Sequence, residues 1–501
     1  MRKIALHVLI ILLILFPFGF AWSAPKDTLV IAQGADATTL DPHNQSEAPT
    51  GNISLNINET LLQRSGDLKI KPLLATSYKL ANDNTWEFRL QEGIRFHNGE
   101  VFNAASVKFT LERMADPKNK LRQTGFQVID RVDIIDDYTV RVITKRPSPL
   151  LEGMFCTGGG MLPPKYFQEK GAAYFALNPV GTGPYKFVRW VKDDHIYLEA
   201  NEKYWRGAPR IKEVIFRPIP EATTRVAGLQ TQELDIIVNV PPSLSRLVDW
   251  KGRSFVSKVP STRAIYVAFD TTKGGPVADK RVRQAIAQAV DMESIIKKVL
   301  DGNGNLLAFN FTKEQFGYDP SIKPYPYNPD QAKKLLVEAG YPQGFDFVLH
   351  SPIGRFLNDK EVGEAIVGGL QKIGINASFR GYEFGTFVSK LTGHDLYPAY
   401  LTGWGNALFD ANGTTQSTLR TGQPFSNYSN PQLDALITQA SATMDAKERR
   451  KIHFEACKLI KEEAPTCLNY QQTDIYGVSE RLNWKARADE RLYVFDMSFK
   501  K

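Results

Sequence analysis

Asn178-Pro179-Val180-Gly181-Thr182-Gly183-Pro184-Tyr185-Lys186-Phe187-Val188-Arg189-Trp190 is the stretch that divides the chain. Pro179 and Pro184 each hold φ near about −65°. Gly181 and Gly183 can take positive φ, so NPVGTGP reads as a shaped turn that feeds a strand from Tyr185 to Trp190. Before this turn the strand and helix signals are irregular; after it they alternate.

Downstream, Ile211–Ile219 reads as a strand, Glu221–Gln232 as a helix, Asp235–Val240 as a strand, Ser243–Asp249 as a helix and Phe255–Val259 as a strand. That βαβαβ order predicts a parallel sheet covered by helices. In Lys280–Ala289, Val282, Ala285, Ile286 and Ala289 recur at helical spacing. A second βαβαβ follows: strand Phe345–His350, helix Asp359–Ile373, strand Ile375–Arg380, helix Gly385–Leu391, strand Leu396–Leu401. Two such units predict an α/β fold of two lobes, with crossing segments suited to hinge closure. Upstream, Thr28–Ala32 reads as a first strand. Between Gly51 and Leu177 the chain reads as a smaller α+β domain: a helix over Asn52–Leu62, strand Trp86–Leu90, turn Phe96–Gly99, helix Ala104–Met114, and strands Val128–Ile135 and Tyr138–Thr144.

At 501 residues, 43% hydrophobic and 23% charged, the chain is long enough for two or three domains. Arg2 and Lys3 precede an apolar run from Val8 to Phe20, and Ala21-Trp22-Ser23 follows. This is the pattern of a secretory signal over 1–23, cut after Ser23 or Ala24 and too short for a membrane span. No cysteine lies near it, so a lipid anchor is not expected and the mature chain is expected in the periplasm. The net charge of +8 is spread along the chain, and no Lys/Arg block with interleaved aromatics suggests nucleic acid. With three cysteines at least one has no partner, while Cys457 and Cys467 are open to a bridge if their Cβ atoms meet. There is no CxxC and the histidines are scattered, so neither a metal nor a cofactor is expected.

NPVGTGPY followed by Tyr204-Trp205-Arg206-Gly207, together with Trp86-Glu87-Phe88-Arg89-Leu90, Phe96-His97-Asn98-Gly99 and Ala105-Ser106-Val107, resembles the family 5 extracellular solute-binding proteins of ABC transporters. The resemblance implies a bilobal periplasmic-binding-protein-like fold with a hinge and an inserted α+β domain. Its divisions would be 24–45, 180–265 and 480–501 for lobe I, 46–179 for the insert, and 266–479 for lobe II. It implies a monomer, not an enzyme, that captures a peptide or peptide-like, carboxylate-bearing molecule and passes it to transmembrane permease subunits. An oligosaccharide, an opine-like conjugate or a metal chelate is the alternative ligand class on the same fold. A secreted hydrolase is the competing function, with Glu233 and Asp235 as its carboxylates; against it, GxSxG, HExxH and P-loop patterns are missing.

In open α/β sheets ligands sit beyond the carboxyl ends of the strands, which selects the loops Ser351–Asn358, Gly381–Phe384 and Thr402–Gly413. Arg355, just before a helix start, is a carboxylate site in kind, or else a solvated loop arginine. Gly403-Trp404-Gly405 offers backbone access and a flat apolar wall, or else a core aromatic. In peptide-binding members of the resembled family an arginine at the place of Arg355 pairs with the ligand's carboxylate. An aspartate three residues after the tryptophan holds the amino terminus, and here that position is Ala407. Asp410, the later aspartate of the pattern, is present; Asn406, Tyr382 and Phe384 complete the expected ligand-binding set. The missing acid predicts a ligand whose amine is blocked, absent or held elsewhere.

Overall fold

The computed structural model describes residues 27–45, 47–123 and 125–500, so the expected signal lies outside the described residues. No helix among them is long and apolar enough to cross a membrane. The first strand, Thr28–Gln33, is buried along its whole length. Leu29 and Ile31 point into one hydrophobic cluster and Val30 and Ala32 into another, as the two-residue period of a strand covered on both faces requires.

The parallel unit expected downstream is interrupted. Strands Glu213–Pro218 and Ile236–Ile237 flank Thr28–Gln33 in parallel. The third expected strand, however, is the start of a 16-residue strand, Ser254–Phe269, and the late strand Thr466–Ser479 lies antiparallel between it and Ile236–Ile237. At about 3.3 Å per residue, strands of this length reach through both halves of the molecule. Their pairing shifts register between Pro260 and Ala264, where proline has no N–H for the ladder and Arg263 leaves the pattern. Beyond the shift, Ser254–Phe269 takes Ala399–Gly405 as an antiparallel neighbour. Asp346–Pro352 and Asn376–Tyr382 then extend the sheet in parallel, as the second unit predicts. Among the described residues the two lobes are therefore halves of one 11-stranded sheet, joined by two long crossing strands. Cys467 lies in the cluster on one face of this sheet and Cys457 in a cluster on the other, and all three cysteines are free and buried.

Residues of the insert form a separate four-stranded antiparallel sheet, Ala75–Asn82, Thr85–Leu90, Thr139–Thr144 and Ile129–Asp136. Helix Ala104–Ala115, capped by the Asn103 side chain on the amides of Ala105 and Ser106, packs its apolar face on it. The helix expected over Asn52–Leu62 instead runs Ala48–Ser54. Its asparagines work tertiary contacts: Asn52 accepts from the amide of Leu492, and Asn56 accepts from Val494 and donates to the carbonyl of Leu492.

Neither Gly181 nor Gly183 has a positive φ, contrary to the turn reading. What the turn needs is their missing Cβ. The amide of Gly183 donates to the Ile57 carbonyl at 2.9 Å, and His97 bonds the carbonyls of both glycines, with 2.8 Å from its amide to Gly181 and 2.9 Å from its ring to Gly183. A methyl at Gly183 would stand 2.6 Å from the Ile57 oxygen, and one at Gly181 closer still.

Beside this turn, Glu59 accepts from Tyr204 Oη at 2.6 Å and Trp205 Nε1 at 3.1 Å, which ties the Tyr204-Trp205 element to the insert's edge. Burial pushes the Glu59 carboxyl from 4.5 up to about 7. Between those values the folded chain keeps a proton that the unfolded chain has released, so this group makes stability fall as pH rises through the window. Buried His43 and His97, both lowered to about 4 by burial, act in the opposite sense, so Glu59 must be isolated by difference. Glu59→Gln is expected to gain up to about 3 kcal/mol relative to wild type between pH of about 4.5 and 8. Urea unfolding at both pH values measures it, and a pH-independent gap between the two proteins would count against this role.

Candidate ligand-binding site

Strand Asp346–Pro352 delivers the loop that carries Arg355. Gly354, at φ +79°, makes the turn, and the Asp359 carboxylate gathers the amides of Gly354, Arg355 and Phe356 at 2.9, 3.0 and 3.0 Å. Those donors are thus spent within the loop, which corrects the expectation that Arg355 sits beside exposed N–H groups. Arg355 is not a solvated arginine either, being 9% exposed. Its guanidinium lies 5.1 Å from the ring centre of Phe356 and 5.4 Å from that of Phe384. Its Nε is buried without a hydrogen-bond partner, and no carboxylate pairs with it among the described residues. Burial first, and the neighbouring Arg263 guanidinium second, lower it to about 10, so it stays charged at neutral pH.

Arg355, Phe356, Phe384, Trp404 and Phe425 line a cavity of about 130 Å³ at the strand ends. It shares Trp404, Gly405, Ala407 and Phe425 with a second cavity of about 440 Å³, which reaches the insert at Phe126 and Met154. Trp404 stands 5.4 Å from Phe425, centre to centre, as a half-buried wall. Gly403 and Gly405 both touch the cavity, yet each is small for a packing reason. A Cβ at Gly403 would enter Ile265 and Phe356; one at Gly405 would stand 3.1 Å from Arg263 Nη2.

Three of the expected residues are occupied elsewhere. Asp410 caps helix Ala411–Thr418 through the amide of Asn412 and is clamped by Arg449 at 2.6 and 2.7 Å; it lines neither cavity. Asn406 borders the larger cavity but spends its amide on Gln315, Thr414 and the Asp410 carbonyl, and its oxygen on the amide of Leu408. Tyr382 bonds His350 at 2.9 Å and lines neither cavity. At Ala407 the remaining acceptor, the backbone carbonyl, takes Arg64 Nε at 2.9 Å, so an ammonium there meets a carbonyl already shared with a cation. Asp235, the hydrolase candidate, is held by Arg481 and the amide of Val30.

Sequence reasoning missed the Arg263–Glu490 pair, which closes the floor of the smaller cavity at 2.8 and 2.7 Å. Burial opposes ionisation of Glu490, but Arg263 outweighs it and holds the carboxyl below its ordinary value. The only trace in the sequence is the charged run Arg487-Ala488-Asp489-Glu490-Arg491 near the chain end.

With this geometry in hand the comparisons are decisive. The model of bacterial extracellular solute-binding proteins, family 5 middle region, matches residues 69–426. The chain belongs to this family. The glutathione-binding protein GsiB of Pectobacterium atrosepticum is 30% identical over 491 residues, covering 95% of this chain and 94% of that protein. GsiB of Escherichia coli strain K12 is 29% identical over 457 residues, covering 88% of each. Among solved structures, the ABC transporter-associated periplasmic binding protein DppA of Helicobacter pylori, in complex with the peptide STSA, superposes with a TM-score of 0.85 at 26% identity, covering 95% of this chain and 98% of that one. AgaA of A. tumefaciens R10, in complex with agropinic acid, gives 0.86 at 25% identity over 95% and 99%. This family 5 protein is thus a bilobal solute-binding component of an ABC importer, and its relatives are binding proteins rather than enzymes.

Proposed function

We propose that this family 5 protein captures a peptide or peptide-like molecule by a carboxylate at Arg355, without chemical turnover, and delivers it as a monomer from the periplasm to permease subunits. Trp404, Phe384, Gly403 and Gly405 form the walls of this site, while Asp410, Asn406 and Tyr382 brace the loops around it. The observation that carries the reading is a buried, charged guanidinium whose side chain makes no hydrogen bond or ion pair among the described residues, leaving its charge for a ligand carboxylate. Glutathione, the peptide STSA and agropinic acid, named for the relatives and similar structures, all carry a carboxylate. A ligand with a blocked amine, such as an opine-like conjugate, is the second reading, favoured by the occupied carbonyl at Ala407.

A hydrogen bond to a charged group contributes about 1.5–3 kcal/mol, so Arg355→Ala is expected to weaken binding by about 10- to 150-fold. Calorimetry with reduced glutathione and with a dipeptide, each with its amine free and acetylated, measures this. Unchanged affinity in Arg355→Ala would sink the carboxylate reading. A strong loss on acetylation would show that another acid holds the amine.

A further inference from the structure

The charged groups of the two cavities do not balance. Each acid that borders them is matched: Glu47 pairs with Arg122 at 2.7 Å, Asp489 with Arg487 at 2.6 Å and Glu490 with Arg263 at 2.7 Å. Arg355 and Arg491 are the guanidinium groups left over, and exposed Lys120 at the larger cavity is a further cation without a pair among the described residues. The Arg491 guanidinium has no hydrogen bond or ion pair among the described residues, yet Arg491 lines both cavities and a third, of about 70 Å³, behind them.

Its placement is enforced from both sides. Glu490, at φ +58°, is fastened to Arg263 on the first crossing strand. Leu492 is fastened through its amide to Asn52 and through its carbonyl to Asn56, and Asp489 accepts from the amide of Arg491 itself. With the backbone pinned before and after it, the side chain is directed across Gly51, whose missing Cβ leaves room for the guanidinium. A charge held at this position without a partner gains most from an anion arriving with the ligand.

We infer that Arg491 is a second anion-binding group and a specificity determinant, and that the ligand class is molecules carrying two carboxylates, one for Arg355 and one for Arg491. This rests on the carboxylate reading of Arg355 given above. It also accounts for a cavity wall that offers an ammonium no unspent acid.

The test is calorimetry of wild type, Arg491→Gln and Gly51→Ala with reduced glutathione, which has two carboxylates, and its glycyl monoethyl ester, which has one, alongside the dipeptide Met-Leu. Wild type is expected to prefer glutathione over the monoester by about 10- to 150-fold, and Arg491→Gln to erase that preference by weakening glutathione alone. Gly51→Ala must displace only the flexible end of Arg491, the next nearest atom being Gln45 Oε1 at 3.5 Å, so it is expected to fold normally and to lose part of the same preference. Undiminished glutathione binding in Arg491→Gln would overturn the inference, as would tighter wild-type binding of Met-Leu than of glutathione. Those outcomes leave the Arg355 reading standing; it fails separately if Arg355→Ala binds all three probes normally.

Discussion

Asp410→Ala is expected to cost about 3–5 kcal/mol of stability, because it leaves Arg449 buried with its charge uncompensated. Both side chains are buried, at 8% and 7% exposure, and the two bonds between them are short and parallel. Arg449 also donates through Nε to the Ala440 carbonyl, so it cannot swing to solvent without abandoning the helix Pro431–Ala440 that precedes it. The same substitution removes the cap from Ala411–Thr418. Replacing both partners, as in Asp410→Asn with Arg449→Met, is expected to recover much of the loss, since a buried pair stabilises little over an apolar replacement. Urea unfolding of the single and double variants is the measurement. An Asp410→Ala protein of normal stability and lost ligand affinity would return Asp410 to the ligand site.

The second large effect is expected at Gly181. A methyl there meets the Ile57 backbone carbonyl rather than a side chain that could turn aside, so the turn must open or the segment at Ile57, just after helix Ala48–Ser54, must move. Overpacking of this kind costs about 1–3 kcal/mol and more when the obstacle is backbone. Gly181→Ala should fall at or beyond the top of that range, with Gly183→Ala behaving alike. Because φ is not positive at either glycine, the cost belongs to contact and not to backbone strain. Thermal unfolding of Gly181→Ala beside Gly171→Ala separates the two. Gly171 has φ +80° and open space around its Cβ position, so it reports strain alone. A smaller loss at Gly181 than at Gly171 would contradict this account.

The second half of the sheet was legible because its signals are local. Asp346–Pro352, Asn376–Tyr382 and Ala399–Gly405 lie within a few residues of their expected places, since alternating strands and capped helices are written in short windows. The first half differs where a strand from the chain's end enters the sheet: nothing local says that Thr466–Ser479 separates Ile236–Ile237 from Ser254–Phe269. Asp410 shows the same limit at the scale of one side chain. Its position after Trp404 suggests a ligand group, and only folding shows that Arg449, thirty-nine residues on, has already claimed it.

The sequence by itself determined the family, the α/β class, the α+β character of the insert and the candidacy of Arg355, because these rest on short ordered motifs and on local periodicity. Tertiary structure alone decided which charges remain for a ligand. Pairing depends on contacts between residues distant in sequence, Arg263 with Glu490 across 227 residues and Asp410 with Arg449 across 39, and a charge becomes available only when every nearer partner has been assigned. Once those pairs are made, two guanidinium groups of the cavity walls, Arg355 and Arg491, are left without a pair among the described residues.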